Sequence, residues 1–218
     1  YDPTGWLVER FGIVRGFREE HALRTGKGYP KSSVILPKLK ERLKRAGKGP
    51  LLVFTHLLDA HAPYNAGGKA ETPREGYLAS LAVVDSGLAQ LREQVESLGL
   101  ADRTTYVVFS DHGEAFGEHG TSFHGKTLYD ELLRVPLFIQ VPGVAPREVS
   151  EPVTLLDLGP TLLDMHGLPT PSSFHGQSLA PFLRGESPEL ERPIVAEARL
   201  MQSMLLPGPR KIILDTRS

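Results

Sequence analysis

Apolar residues along this chain follow two patterns. From Arg74 to Leu98, the residues Leu78, Leu81, Val84, Leu88, Leu91, Val95 and Leu98 recur at spacings of three and four. That spacing predicts a long helix packed on a sheet, closed by Gly99. The other pattern is the short uncharged run. Leu51 to Thr55, Tyr106 to Phe109 and Val135 to Val141 are such runs, bounded by Gly47-Lys48-Gly49-Pro50 on one side and Pro142-Gly143 on the other. They predict strands buried on both faces. Strand, helix, strand in that order reads as a right-handed βαβ crossover, with both polar strand ends at one edge of the sheet.

The flanks are less regular. Tyr1 to Pro30 is an irregular lead-in in which Trp6, Phe11 and Phe17 would anchor onto a core. Lys and Arg then crowd Arg24 to Lys48 with Glu41 alone opposing them, but Leu36, Leu39 and Leu43 form an apolar stripe through the same stretch. The basic residues are therefore the wet side of an amphipathic helix, and without interleaved aromatics they do not argue for nucleic acid. Further on, Thr154 to Leu163 predicts a short helix interrupted at Gly159-Pro160, and Ser178 to Leu183 another. Pro193 to Ala196 and Lys211 to Leu214 are the last strand candidates. The expected organisation is one partial domain: lead-in and basic helix over 1–50, motif-bearing core over 51–185, terminal strands over 186–218.

Composition narrows the function classes. The chain has 218 residues, 40% of them hydrophobic, enough for a substantial core, and its net charge is −1; nothing global points to a polyanionic partner. No cysteine is present, which excludes disulfides, thiolate ligands and a cysteine nucleophile within these residues. Neither a signal peptide nor an apolar run long enough to span a bilayer is visible. The chain begins at Tyr1 without Met, so it is expected to be a piece of something longer.

The candidate chemistry lies past the strand ends. Tyr106 to Phe109 leads within two residues to Asp111-His112-Gly113. A carboxylate oxygen and an imidazole nitrogen can share one cation if the chain turns on leaving the strand, and Gly113 permits the turn. Such a pair suits zinc, manganese or iron(II) better than calcium. The competing reading is a turn-capping Asp beside a surface His. Past the strand at 51–55 comes His56-Leu57-Leu58-Asp59-Ala60-His61-Ala62-Pro63-Tyr64. By the βαβ reading, His61 and the Asp111-His112 pair face one crevice. His56 and Asp59 are support candidates, Asp59 by orienting a histidine; His119, His166 and His175 read as surface loop.

The segments SDHGEAFGEHG, HGKTLYDELLRVPLFIQVPG, PVTLLDLGPTLLDMHGLPTP and HLLDAHAPY together resemble the sulfatase family of the alkaline phosphatase superfamily, over roughly Phe54 to Leu183. The resemblance implies an α/β/α sandwich around a mostly parallel sheet, incomplete on its N-terminal side. It implies hydrolysis of sulfate or phosphate monoesters with a divalent metal, here calcium, manganese or zinc. Asp111 and His112 would be metal ligands, and His61 would contact the ester's anionic oxygens. Registered on Tyr129-Asp130-Glu131, the family's lysine position falls on Gly125, so His124 is the first candidate for the second oxygen contact and Lys126 the second. An extracytoplasmic parent acting on a small-molecule or glycan ester is also implied.

One family element is missing. Relatives carry a Cys or Ser in a Cys/Ser-x-Pro-x-Arg motif that becomes the formylglycine nucleophile. This chain has no Cys and no Ser before Pro-x-Arg. No catalytic nucleophile is therefore expected in this chain; it is expected upstream of Tyr1, and the isolated piece is expected to be inactive. Two other readings stay open: a phosphoester or phosphonate monoester hydrolase or phosphoethanolamine-type transferase of the same superfamily, and a non-catalytic module that keeps the fold.

Overall fold

The computed structural model describes residues 16–21, 29–47, 49–190, 192–198, 201–206 and 210–215. The expected anchors Trp6 and Phe11 lie outside the described residues. Phe17 is exposed rather than anchored. The chain divides into two compact units, Tyr1–Arg103 and Thr104–Ser218.

In the first unit, α1 (Ser32–Lys44) packs on α2 (Pro73–Ser97). Leu36, Leu39 and Leu91 are buried together, with Leu43 and Leu57 against them, so the leucine stripe faces inward and the lysines outward. Gly87 permits the close crossing, since a Cβ there would stand 2.5 Å from Leu36 Cδ1. Thr72, Pro73 and Glu75 start α2 with a reciprocal capping box, which satisfies donors that a helix start leaves unpaired. The apolar stripe of α2 is only partly covered: Leu91 and Val95 are buried, Leu78 and Leu81 exposed.

Helix α1 has no such device of its own, and Lys31 makes no capping bond. Asp59 supplies it from the following loop, accepting the Ser32 backbone N–H at 2.8 Å and the Ser32 hydroxyl at 2.9 Å. Both residues are 2% exposed. A buried carboxylate at a helix N-terminus meets unpaired N–H groups and the positive end of the dipole. Asp59 thus holds a helix, not a histidine as the sequence suggested.

The predicted strand over 51–55 does not form. Leu51, Leu52, Val53 and Phe54 are all exposed and make no ladder. A strand needs a partner's backbone, which composition alone does not supply.

In the second unit, β1 (Tyr106–Phe109) pairs with β4 (Leu137–Gln140), Tyr106 opposite Gln140 and Phe109 opposite Leu137. Between them lie the two-residue ladder of β2 (Ala115–Phe116) with β3 (Ser122–Phe123) and the short α3 (Asp130–Leu133). Then follow α4 (Leu158–Met165), α5 (Ala180–Leu183) and a meander of β5 (Ile194–Ala198), β6 (Met201–Leu205) and β7 (Lys211–Asp215). Every pairing among the described residues is antiparallel, so the expected parallel crossover is not among them. Val108 and Phe109 are exposed, unlike the expected doubly buried strand. Gly159-Pro160 does not interrupt α4 but lies in its first turn, where a missing N–H costs nothing.

Asp157, fully buried, pins this unit. Its carboxylate accepts the Thr154 and Gln177 backbone N–H groups at 2.9 and 2.8 Å and pairs with the Arg192 guanidinium.

Candidate active site

Strand β1 ends at Phe109, and the next four residues fold into a tight knot. The Ser110 hydroxyl donates to the His112 carbonyl at 2.6 Å, and the His112 N–H donates to Asp111 Oδ1 at 3.0 Å. The Gly113 N–H then donates to the Leu132 carbonyl at 2.8 Å. Only glycine fits at 113: a Cβ there would run into the Glu131 carbonyl oxygen, with the Glu131 carbonyl carbon at 3.0 Å and Leu132 Cα at 3.2 Å. The Asp-His pair is therefore set by backbone contact with α3 as well as by the strand.

The knot fixes the chemistry of the His112 ring. Its Nδ1 lies 2.8 Å from the Gly113 carbonyl oxygen, an acceptor with no proton to give, so Nδ1 carries the hydrogen and Nε2 holds the lone pair of the neutral imidazole. That Nε2 is 3.7 Å from Asp111 Oδ2. Two ligands of one cation, with bonds of about 2.0–2.2 Å, sit roughly 3–3.5 Å apart. At 3.7 Å the pair stands just outside that spacing. Among the described residues it has no third member: no group of three or more His, Asp or Glu converges.

His124 joins the pair. Its ring stacks on His112 with centroids 4.1 Å apart at 29°, and its Nδ1 is 3.1 Å from Glu114 Oε1. The Glu114 side chain is 6% exposed. The result is an unbroken run of carboxylate, imidazole, imidazole and carboxylate, from Asp111 through His112 and His124 to Glu114. Sequence reading passed over Glu114; the signal for it was a carboxylate two residues past His112 in a stretch already singled out.

Lys126 stays apart from this run. It is exposed, its ammonium 5.8 Å from the centroid of the Phe123 ring. His119, read as surface loop, is fastened: it stacks on Tyr129 at 3.7 Å and meets Glu131 at 2.9 Å.

His61 lies in the first unit and is built separately. Its Nδ1 is 2.9 Å from the Ala62 carbonyl oxygen, which again puts the proton on Nδ1. Its ring meets Tyr29 edge-on at 5.0 Å. Around it, Lys31 donates to Asn65 at 2.8 Å and Ser32 to Asp59, so segment 29–32 clamps the loop on three sides. His56, a support candidate, has a buried Nδ1 with no hydrogen-bond partner among the described residues.

Solved sulfatases share this α/β fold. The family model Sulfatase matches residues 6–168, and the chain belongs to that family. It is 36% identical over 134 residues to arylsulfatase K of Bos taurus, a match covering 58% of this chain and 25% of that protein. Among solved structures it resembles a phosphonate monoester hydrolase from Silicibacter pomeroyi, at TM-score 0.56 and 27% identity over 66% of this chain and 34% of that one. It also resembles Ps i-CgsB in complex with k-i-k-neocarrahexaose, at TM-score 0.65 and 18% identity over 98% of this chain and 56% of the other; that likeness speaks to fold alone. The chain spans about a quarter of the length of the first curated relatives it matches.

Proposed function

We propose that this chain carries the metal-holding and ester-binding residues of a sulfuric ester hydrolase. Asp111 Oδ2 and His112 Nε2 hold a divalent cation, calcium, manganese or zinc. The observation that carries the reading is the contact of His112 Nδ1 with the Gly113 carbonyl, which leaves Nε2, 3.7 Å from Asp111 Oδ2, as the ring nitrogen available to a cation. When bound, the cation supplies Lewis-acid stabilisation to the ester's oxygens. The protein's own part is to hold donors where charge develops.

His124 is oriented by Glu114 to place its other ring nitrogen on an ester oxygen. His61, by its motif, does likewise; each contact is a donated hydrogen bond when Nε2 as well as Nδ1 carries a proton, and in that imidazolium form either ring can hand the Nε2 proton to the departing alkoxide. Lys126 adds positive charge nearby. No residue of this chain is assigned the nucleophile. The substrate class is a sulfate ester of a small molecule or a glycan, and an extracytoplasmic setting accords with it. Among the described residues no helix is long and apolar enough to cross a membrane.

A second reading keeps the same residues and exchanges the ester: a phosphonate or phosphate monoester. Two observations favour it, the imidazole in the metal pair, which suits manganese or zinc, and the likeness to the phosphonate monoester hydrolase.

The test is Mn²⁺ binding followed by electron paramagnetic resonance on the full 218-residue chain. Weak binding is expected in the wild type and its loss in Asp111→Ala and His112→Ala; unchanged binding in Asp111→Ala removes that residue from the ligand set. Competition of inorganic sulfate against inorganic phosphate and methylphosphonate on the metal-loaded chain then separates the two esters.

A further inference from the structure

Three residues other than glycine have φ in the left-handed region among the described residues: Tyr64 (56°), His119 (52°) and Phe123 (67°). For a bulky side chain this is a strained conformation. Tyr64 is compensated by burial at 6% exposure, and His119 by its stack on Tyr129 and its bond to Glu131. Phe123 has no comparable return. Half of its side chain is open to solvent, and its backbone is tied down by a two-residue ladder in which it opposes Ala115, itself 1% exposed.

Neither backbone preference nor burial therefore explains an aromatic residue here. Glycine would adopt φ near +67° without penalty, and a polar residue would leave less apolar surface in water. Position does explain it. Phe123 directly precedes His124, whose ring is fixed by Glu114 and stacked on His112. The Lys126 ammonium stands over its ring at 5.8 Å. An aromatic ring half open to solvent, with a cation over one face and one residue from the proposed ester contact, is suited to the part of the substrate that does not react.

We infer that Phe123 is a specificity-determining residue that stacks on a ring in the ester's leaving group, with Lys126 beside it to meet a further anionic substituent on that ring. Ring esters are then held in preference to esters of open-chain alcohols through this residue. This inference rests on the proposed role of His124 in contacting the ester.

The experiment is a set of chemical-shift titrations of the full 218-residue chain with phenyl sulfate, glucose 6-sulfate and ethyl sulfate. Wild type is expected to bind the two ring esters more tightly than ethyl sulfate, by about fivefold to tenfold, the range of one aromatic stacking contact. Phe123→Gly is expected to bring that ratio close to one, and Phe123→Tyr to keep it. The glycine variant also removes the strain, so its thermal midpoint is expected to rise, which guards against misfolding as the cause. A ratio for both ring esters that survives in Phe123→Gly overturns the inference. A ratio lost for phenyl sulfate alone assigns the platform to arenes, and one lost for glucose 6-sulfate alone assigns it to sugars. His124→Ala is the separate control: it should weaken all three esters together, and equal binding there overturns the ester contact of His124 while leaving the ring platform standing on its own ratio.

Discussion

Gly113→Ala puts the construction of the Asp-His knot under direct test. A Cβ at 113 would overlap the Glu131 carbonyl oxygen and press on the Glu131 carbonyl carbon and Leu132 Cα. These are backbone atoms at the start of α3, not a side-chain end that can swing away. The Gly113 N–H to Leu132 carbonyl bond of 2.8 Å cannot survive the required shift. Overpacking against fixed atoms costs about 1–3 kcal/mol, and the lost bond about 0.5–1.5 kcal/mol more. The second unit should therefore be destabilised by roughly 2–4 kcal/mol. Gly47→Ala is the matched control, because nothing lies within 4 Å of a Cβ there and its φ is ordinary; it should be neutral or stabilise by up to about 1 kcal/mol. Urea unfolding by circular dichroism measures the difference, and amide exchange over 128–134 shows whether the loss is local. An unfolding midpoint for Gly113→Ala equal to that of Gly47→Ala would refute the steric argument.

Three further outcomes follow from bonds elsewhere in the chain. Asp59→Ala removes both acceptors from the start of α1 and should cost about 2–4 kcal/mol in urea unfolding, Asp59→Asn about half that; additivity with Ser32→Ala would show that the two residues do not act as a pair. Asp157→Asn weakens a buried pair with Arg192 and keeps its shape, while Asp157→Ala leaves the guanidinium with no counter-charge and should cost about 3–5 kcal/mol, read from the same unfolding curves. Glu19 is held below the usual carboxylate range by its hydrogen bonds and charge contact with the Arg42 guanidinium. Its folded pKa is depressed, so its contribution is present above the ordinary glutamate pKa of 4.5 and fades as pH falls through the folded value. The stability gap between wild type and Arg42→Ala should thus be present at neutral pH, close in acid and shrink with salt; a gap that widens on acidification contradicts the sign.

What the sequence made legible was local. The spacing of Leu78 to Leu98 located α2 within a residue at each end, because a 3.6-residue period is written into the chain itself. The apolar runs at 106–109 and 135–141 found β1 and β4, the second with two residues too many at its start and one at its end, for a related reason. The run at 51–55 has the same composition and forms no strand, since pairing depends on a partner that local pattern does not name. For the same reason β2 and β3, two residues each, and β6, with its mixed sequence Met-Gln-Ser-Met-Leu, went unseen. Among the site candidates, the Asp111-His112 dipeptide and His124 could be picked out as residue types at strand and loop ends. That their rings stack, and that Glu114 fastens one of them, required the hairpin of β2 and β3 that folds 124 back over 112.

The irregular places are where sequence rules and structure part, and they share a physical cause. At Asp111 to Gly113 the chain gives up ladder bonds for side-chain and loop bonds, Ser110 to the His112 carbonyl and the His112 N–H to Asp111. That exchange orients the His112 ring, which a regular strand would have turned to the opposite face from Asp111. In the His61 loop the same economy holds: Asp59, Lys31 and Tyr29 fasten the turn from outside, and the ring takes its tautomer from the next carbonyl. In both loops a histidine spends its Nδ1 proton on the backbone directly after it. His166 makes the same bond from Nδ1 to the Leu162 carbonyl at the end of α4, so this use of Nδ1 follows from its closeness to the backbone and leaves Nε2 as the outer nitrogen in all three rings.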